Sequence, residues 1–357
     1  MFELTKKFGI DALLGGWFLG GVGGGLPEGG EKTLTEALDI GSVHFVSVEE
    51  LGENDEIATV SLVGSPVSKD SCIERRHYEQ VYRKFRDAYA GELAALTTNE
   101  AGAQSISNGW ITAAITGLPM LDGACNGRAH PTGLMGSMGL DQIPDYRALQ
   151  ACAGGDGIRE TSLTAIGTVQ NTSALVRHAA TMAGGFVTVL RNPVTAAYYK
   201  ENAALGTVTQ AAEIGRLWRE NDRDGDTLLR ALAHVLDCRV LAQGSVAHLE
   251  LRVAGGFDVG RFSVRAGNDV LETEFMNEYL LAELRGVRLA TFPELIAVID
   301  LASRRPVCSA QLAEGMDVAV VAVPAKRLTL GRGMHIPQLY EVCEHALGKP
   351  LCAYAFK

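Results

Sequence analysis

Short apolar runs rich in β-branched residues alternate with stretches of helical spacing over roughly the first 140 residues, the signature of a parallel sheet with covering helices. VHFVSVEEL from Val43, EIATVSLVGSP ending at Pro66, ALTTNEAG at 95–102 and LPMLD ending at Asp122 read as strands or strand ends. EKTLTEALD from Glu31 to Asp39 reads as a helix, and so does SNGWITAAITG, with Asn108 near its start. A third helix opens at Ser71-Cys72, where Ile73, Tyr78, Val81, Tyr82 and Phe85 repeat on one face. In such sheets ligands bind beyond the carboxyl ends of the strands. Two loops stand there: the one holding Glu100 and the one starting at Asp122.

From Ser173 to Leu236 the pattern predicts packed helices, with Pro193 in a first helical turn. After Asp237 the character changes. RVLAQGSVAHLELRVAGG, FDVGRFSVRAG, DVLETEFMNEYLLAEL and MDVAVVAVPA carry alternating or continuous β patterns between glycine turns. IPQLYEVCEHALGK is helical again. The 357 residues exceed one compact core. The expectation is therefore a layered α/β domain over 1–236 and a β-rich, barrel-like domain over 237–334, with 335–357 returning to the first.

Charge narrows the function. The formal net charge is −10 and no Lys/Arg-rich block occurs, so the basic stripe of a nucleic-acid binder is missing. No run approaches the ~18–20 apolar residues of a membrane span. Seven widely spaced cysteines, an odd number, argue against a disulfide framework and for reduced thiols in the cytoplasm. A small-molecule substrate and a homo-oligomer are expected, with SALVRHAATMAGG suited to a dimer surface or to a core.

The richest segment is DGACNGRAHP, 122–131, which collects Asp122, Cys125, Asn126, Arg128 and His130 between flexible glycines and a stiff proline. Its bland alternative is a braced turn in which Arg128 pairs Asp122 and His130 caps a helix. Cys72 and His77 repeat the spacing of Cys125 and His130, but on a helix an offset of five separates the two faces, so a four-ligand zinc site is disfavoured. Glu74 and His77 share a face; one Glu-x-x-His alone reads as a solvated helix surface. GGVGGG at 20–25 lacks the Lys-Ser/Thr of a phosphate loop and the spacing of a dinucleotide fingerprint, so it reads as a turn that lets a neighbouring loop approach, with a backbone-amide nest for an anion as the alternative. Asp222, Asp224 and Asp226 mimic a calcium loop without its closing Glu and read as a turn between helices.

GGVGGG (20–25), GSP (64–66), EAGA (100–103), LPMLDGACNGRAHP (118–131), GGFDVGRFSV (255–264) and FMNEYLLAE (275–283) together resemble the DUF917 family, which includes S-methyl thiohydantoin desulfurase. FPELIAVIDLASRRPV and LAEGMDVAVVAVPA resemble its closing strands. The resemblance spans nearly the whole chain and is most specific at Gly-Arg-Ala-x-Pro and Asn-Glu. It implies an α/β domain followed by a barrel-like β domain, hydrolysis of hydantoin-like five-membered rings, and zinc. The chain departs from the family at Ala124, Cys125, His130 and Thr132, and EAGA stands for Glu-x-Gly-Gly.

Three mechanisms follow. In the first, a metal-assisted hydrolase, Asp122, Cys125 and His130 hold the metal, Glu100 is the general base, Arg128 grips a substrate carboxylate and Asn126 donates to the developing anion. In the second, Cys125 is a nucleophile with His130 or Asp122 as its base. The third is a ligand-binding or assembly module without turnover.

Overall fold

The computed structural model describes residues 1–21, 23–64, 70–254 and 257–356. Part of the GGVGGG, GSP and GGFDVGRFSV segments lies outside them.

The first part of the chain lays down β1 (Phe2–Glu3), α1 (Lys6–Leu19), α2 (Pro27–Ile40), β2 (His44–Val46), β3 (Glu56–Gly64), α3 (Arg75–Ala88), β4 (Leu93–Glu100), α4 (Trp110–Thr116) and β5 (Met120–Asn126). It continues with β6 (Ala148–Gly154), β7 (Thr161–Gly167), α5 (Val169–Met182), β8 (Phe186–Thr195), α6 (Ala196–Asn202), β9 (Ala204–Leu205), α7 (Thr207–Asn221) and α8 (Gly225–Leu236). The strands form one sheet in the order β1-β2-β5-β4-β3-β8-β6-β7, with β9 on β5. Neighbours among β2, β5, β4 and β3 pair in parallel, while β8, β6 and β7 extend the sheet antiparallel.

Several expectations are corrected here. The run from Val43 is a strand for only three residues before Ser47 starts a single helical turn. The stretch from Ser173 to Leu236 is not wholly helical: Pro193 lies inside β8, and the helix begins at Ala196, capped by Thr195. The β6–β7 pair carried no clear period in the sequence. The strand ending at Asp122 runs on to Asn126, because Gly123 and Ala124 are small enough to pair with β9 while β4 covers the other edge.

The second sheet holds β10 (Arg239–Ala254), β11 (Phe257–Ala266), β12 (Asp269–Met276), β13 (Glu278–Leu284), β14 (Val287–Thr291), β15 (Leu295–Asp300), β16 (Arg305–Pro306) and β17 (Asp317–Val323). Its order is β14-β13-β12-β11-β10-β17-β15-β16, antiparallel throughout. The sheet coils until β13 and β15, five places apart in that order, touch. LIAVID and DVAVVAV are continuous apolar runs because β15 and β17 are buried on both faces. Ile296, Val298, Val318 and Val320 enter the core of the second sheet. Leu295, Ala297, Ala319, Val321 and Val323 join the core around α1, α7 and α8.

The two parts thus share one hydrophobic cluster. Asp222 adds ion pairs to Arg304 at 2.6 Å and Arg305 at 2.8 Å, so the calcium-like loop is a joint between the sheets. Asp224 caps α8. The chain end does not return to the first sheet as expected. Residues 329–333 do cross back to the end of β5, but α9 (Glu341–Leu347) packs on β11 and β12, and α10 (Cys352–Ala355) closes the chain. Tyr340 and Cys343 find their apolar cover there with Met276 and Leu280. Among the described residues no helix is long and apolar enough to cross a membrane.

Candidate functional site

The carboxyl ends of β4 and β5 lie side by side, with Glu100 in register with Asn126. Alternation along β5 sends Asp122, Ala124 and Asn126 to one face and Cys125 to the other. This divides the expected loop. Asp122 accepts from the Thr209 backbone N–H at 3.0 Å and its hydroxyl at 2.6 Å, capping α7. Cys125 Sγ lies 3.2 Å from Thr59 Oγ1 on the opposite side. The structure therefore does not bring Asp122, Cys125 and His130 together as metal ligands. Among the described residues no three His, Cys, Asp or Glu side chains are grouped to hold a metal ion. The side chains present do not fit the zinc that the resemblance implied.

Asn126 is also committed: its amide donates to the Arg128 carbonyl at 2.7 Å and accepts from the Gly331 N–H at 3.1 Å. Its oxygen and one of its two N–H donors are thereby spent on the loop itself. Arg128 is fully buried. Its Nη1 donates to the Pro293 and Glu294 carbonyls at 3.1 and 2.6 Å, its Nε donates to the Ala129 carbonyl, and its guanidinium lies 4.7 Å from the Phe292 ring centroid. Only Nη2 is left without a partner, so it offers one donor atom and not the expected fork. Neither Asp122 nor Arg128 braces the other.

Glu100 and His130 do meet. His130 Nε2 is 3.1 Å from Glu100 Oε2, while Nδ1 lies 2.9 Å from the Thr132 carbonyl. A carbonyl only accepts, so the ring proton is assigned to Nδ1 and Nε2 presents a lone pair. Burial holds the imidazole neutral, lowering its pKa to about 4. Burial also raises Glu100 to about 7, against the Ser105 hydroxyl, the charges of Arg191 and Arg128 and the His130 main chain. A protonated Glu100 facing a basic Nε2 is the arrangement in which neither atom is repelled.

Around this pair the glycine turn closes in. A Cβ on Gly24 would overlap Ser105 Oγ and lie 3.4 Å from Glu100 Oε1. One on Gly21 would lie 3.0 Å from Arg128 Nη2, and one on Gly23 would overlap Glu278 Oε1. The turn reading of this run thus holds: the Gly24 carbonyl accepts from the Gln104 and Ser105 N–H groups. Arg128 Nη2 and Glu278 Oε2 are both buried without a hydrogen-bond partner among the described residues. Such atoms are costly in a finished core and ordinary in a site that awaits a ligand.

Glu278, Ser105 and Arg191 were not picked out from the sequence. The signal for Glu278 was the Asn277-Glu278 pair: Asn277 takes φ +59 and alone joins β12 to β13. Arg191 is in register with Thr59 on central strand β8; its side chain has no hydrogen-bond or ion-pair partner among the described residues, and its charge acts on Glu100 and His130. Cys125 is 1% exposed and burial pushes its thiol up to about 11, the opposite of an activated nucleophile. His77 is fully buried, not solvated as expected, because its Nδ1 accepts from the Glu74 N–H and caps its own helix, while Glu74 pairs Arg76.

The S-Me-THD-like N-terminal domain matches residues 10–157, and the S-Me-THD-like C-terminal domain matches 168–337. No curated protein shows significant similarity. A crystal structure of a protein from Chromobacterium violaceum is similar, with 20% sequence identity and a TM-score of 0.67 over 91% of this chain and 92% of that one. At that identity it shares the fold. With the two domain matches covering most of its length, the chain belongs to the S-Me-THD-like, or S-methyl thiohydantoin desulfurase (DUF917), family.

Proposed function

We propose that this protein is a hydrolase of five-membered, hydantoin-like rings, acting at the sp² ring carbon that carries an S-alkyl group. The family name supports the substrate class. The observation that carries the chemistry is the buried Glu100–His130 contact at 3.1 Å, with the carboxyl poised at about 7. A general base works best when its pKa lies near the operating pH.

In the deprotonated form, Glu100 takes a proton from water as the water oxygen bonds to the ring carbon. The C=N electron pair moves onto the ring nitrogen; as the tetrahedral adduct collapses to a ring carbonyl its hydroxyl proton passes to that nitrogen, the C–S bond breaks, and the departing thiolate takes the proton from Glu100. Water and the S-alkyl ring become the carbonyl ring and a thiol, with no change of oxidation state. Neutral His130 Nε2 accepts from Glu100 in its protonated state, before and after the water attack, and Arg128 Nη2 is a buried donor beside the same turn, suited to charge that develops in the adduct.

The test is incubation of the full chain with an S-methyl thiohydantoin and a panel of plain hydantoins. Mass spectrometry of the ring product and headspace detection of methanethiol read the outcome. Thiol release is expected, falling about 10²–10⁴-fold in Glu100→Gln. Absence of turnover across the panel, or an unimpaired Glu100→Gln, would overturn the reading.

A further inference from the structure

We propose that Glu278 is a second catalytic carboxyl, delivered by the β domain to the Glu100 site as the proton donor to the ring nitrogen. This rests on the hydrolysis proposed above and supplies the proton that the first step lacks.

Glu278 is the first residue of β13, directly after the left-handed Asn277, and it is 3% exposed. It presses on the backbone of Gly23, where any Cβ would overlap its Oε1, and the same missing Cβ makes room for Ala129. The carboxyl therefore reaches the glycine turn that also borders Glu100 and Arg128. Among the described residues its Oε2 has no hydrogen-bond partner, and neither has Arg128 Nη2, although the Arg128 charge acts on Glu278. A purely structural pair would close into an ion pair. Here a donor and an acceptor are both left open inside a buried site, which suits a ligand that bridges them.

The charged and titratable groups acting on Glu278 are Arg128 and Glu100 from the first domain and Cys343 from α9. Burial, then the Glu100 charge, raises it to about 8, with Arg128 opposing, so it is protonated when Glu100 is half ionised. Two carboxyls with separated pKa values divide the acid and base roles. Glu100 takes a proton from water while Glu278 gives one to the ring nitrogen, and the C=N electron pair moves onto that nitrogen. On collapse, the adduct hydroxyl returns a proton to Glu278, the C–S bond breaks, and Glu100 protonates the thiolate. Both carboxyls end as they began.

Two measurements on the full chain test this. The first is the pH profile of kcat and kcat/KM on S-methyl thiohydantoin for wild type and Glu278→Gln. Wild type should give a narrow bell with limbs near 7 and 8. Glu278→Gln should lose about 100-fold or more in kcat, with KM little changed, and its residual activity should lack the descending limb. The second is denaturant unfolding from pH 5 to 9, which needs no substrate. The neutral Gln should remove the stability that wild type loses as pH rises toward 8. A folded Glu278→Gln with normal kcat and an intact descending limb overturns the donor role alone. A stability difference between the two proteins that is flat with pH overturns the protonated state. No turnover by wild type overturns the hydrolysis and this proposal together.

Discussion

Burial gives Glu100 and His130 opposite pH signatures. Glu100 moves up from an ordinary 4.5 to about 7, so between those values the folded chain holds a proton that the unfolded chain releases. Its favourable contribution is complete below pH 4.5 and is lost as pH rises to 7. His130 moves down from 6.5 to about 4, so its contribution is complete above 6.5 and is lost as pH falls toward 4. Glu100→Gln removes only the first effect. It should match wild type in unfolding free energy near pH 4.5 and exceed it at pH 8 by up to about 3 kcal/mol, while losing activity. Urea unfolding at the two pH values checks this; a gain that does not grow with pH would refute it. Glu100 and His130 were legible in the sequence because each stands at a strand's carboxyl end within its own segment. The Asn-Glu pair marked Glu278 in the sequence but not its place beside this site, because its contact with Gly23 is one that no local pattern encodes.

At the scale of elements, the glycine turn and β5 decide what the site can hold. The sequence showed reactive residue types in 122–131 but not where strand gave way to loop. Four more residues of strand, allowed by Gly123 and Ala124, put the alternating side chains on two faces and took Asp122 and Cys125 out of the site. The glycine run was legible as a close approach, and the structure supplies its partners. Gly24 has φ +80, and a Cβ there would overlap Ser105 Oγ and lie 2.6 Å from Gly102 Cα. Gly286 has a similar φ of +75 with open space around it. Gly286→Ala should therefore show backbone strain alone, about 1 kcal/mol. Gly24→Ala should add the displacement of Ser105 and of the Gly102 backbone next to Glu100, for a total of about 2–4 kcal/mol, and a loss of kcat that Gly286→Ala does not share. Equal kcat in the two variants would show that the turn only closes a loop.

For the whole molecule, the question is how a carboxyl on one sheet is held against a turn on another. The two-domain reading from the change in pattern after Asp237 located both sheets, but not their shared core, because continuous apolar strands such as LIAVID do not say what covers each face. Arg128 is the polar part of that junction. It projects from the segment after β5, spends its donors on carbonyls at Pro293 and Glu294, and lies on Phe292. Burial depresses its pKa to about 10, so it stays charged at neutral pH. Arg128→Met keeps much of the apolar contact but leaves those carbonyls without donors in a dry interior, at a cost of about 3 kcal/mol. Since β15 and β17 pack into the helices of the first part, the two sheets should still unfold together. The expected result is one transition, with tryptophan fluorescence from Trp17, Trp110 and Trp218 coinciding with far-UV circular dichroism, shifted to lower denaturant. Activity should fall further than stability requires under native conditions, because the open Arg128 Nη2 donor beside the glycine turn is lost. Two separate transitions would show instead that Arg128, and not the shared apolar cluster, couples the sheets.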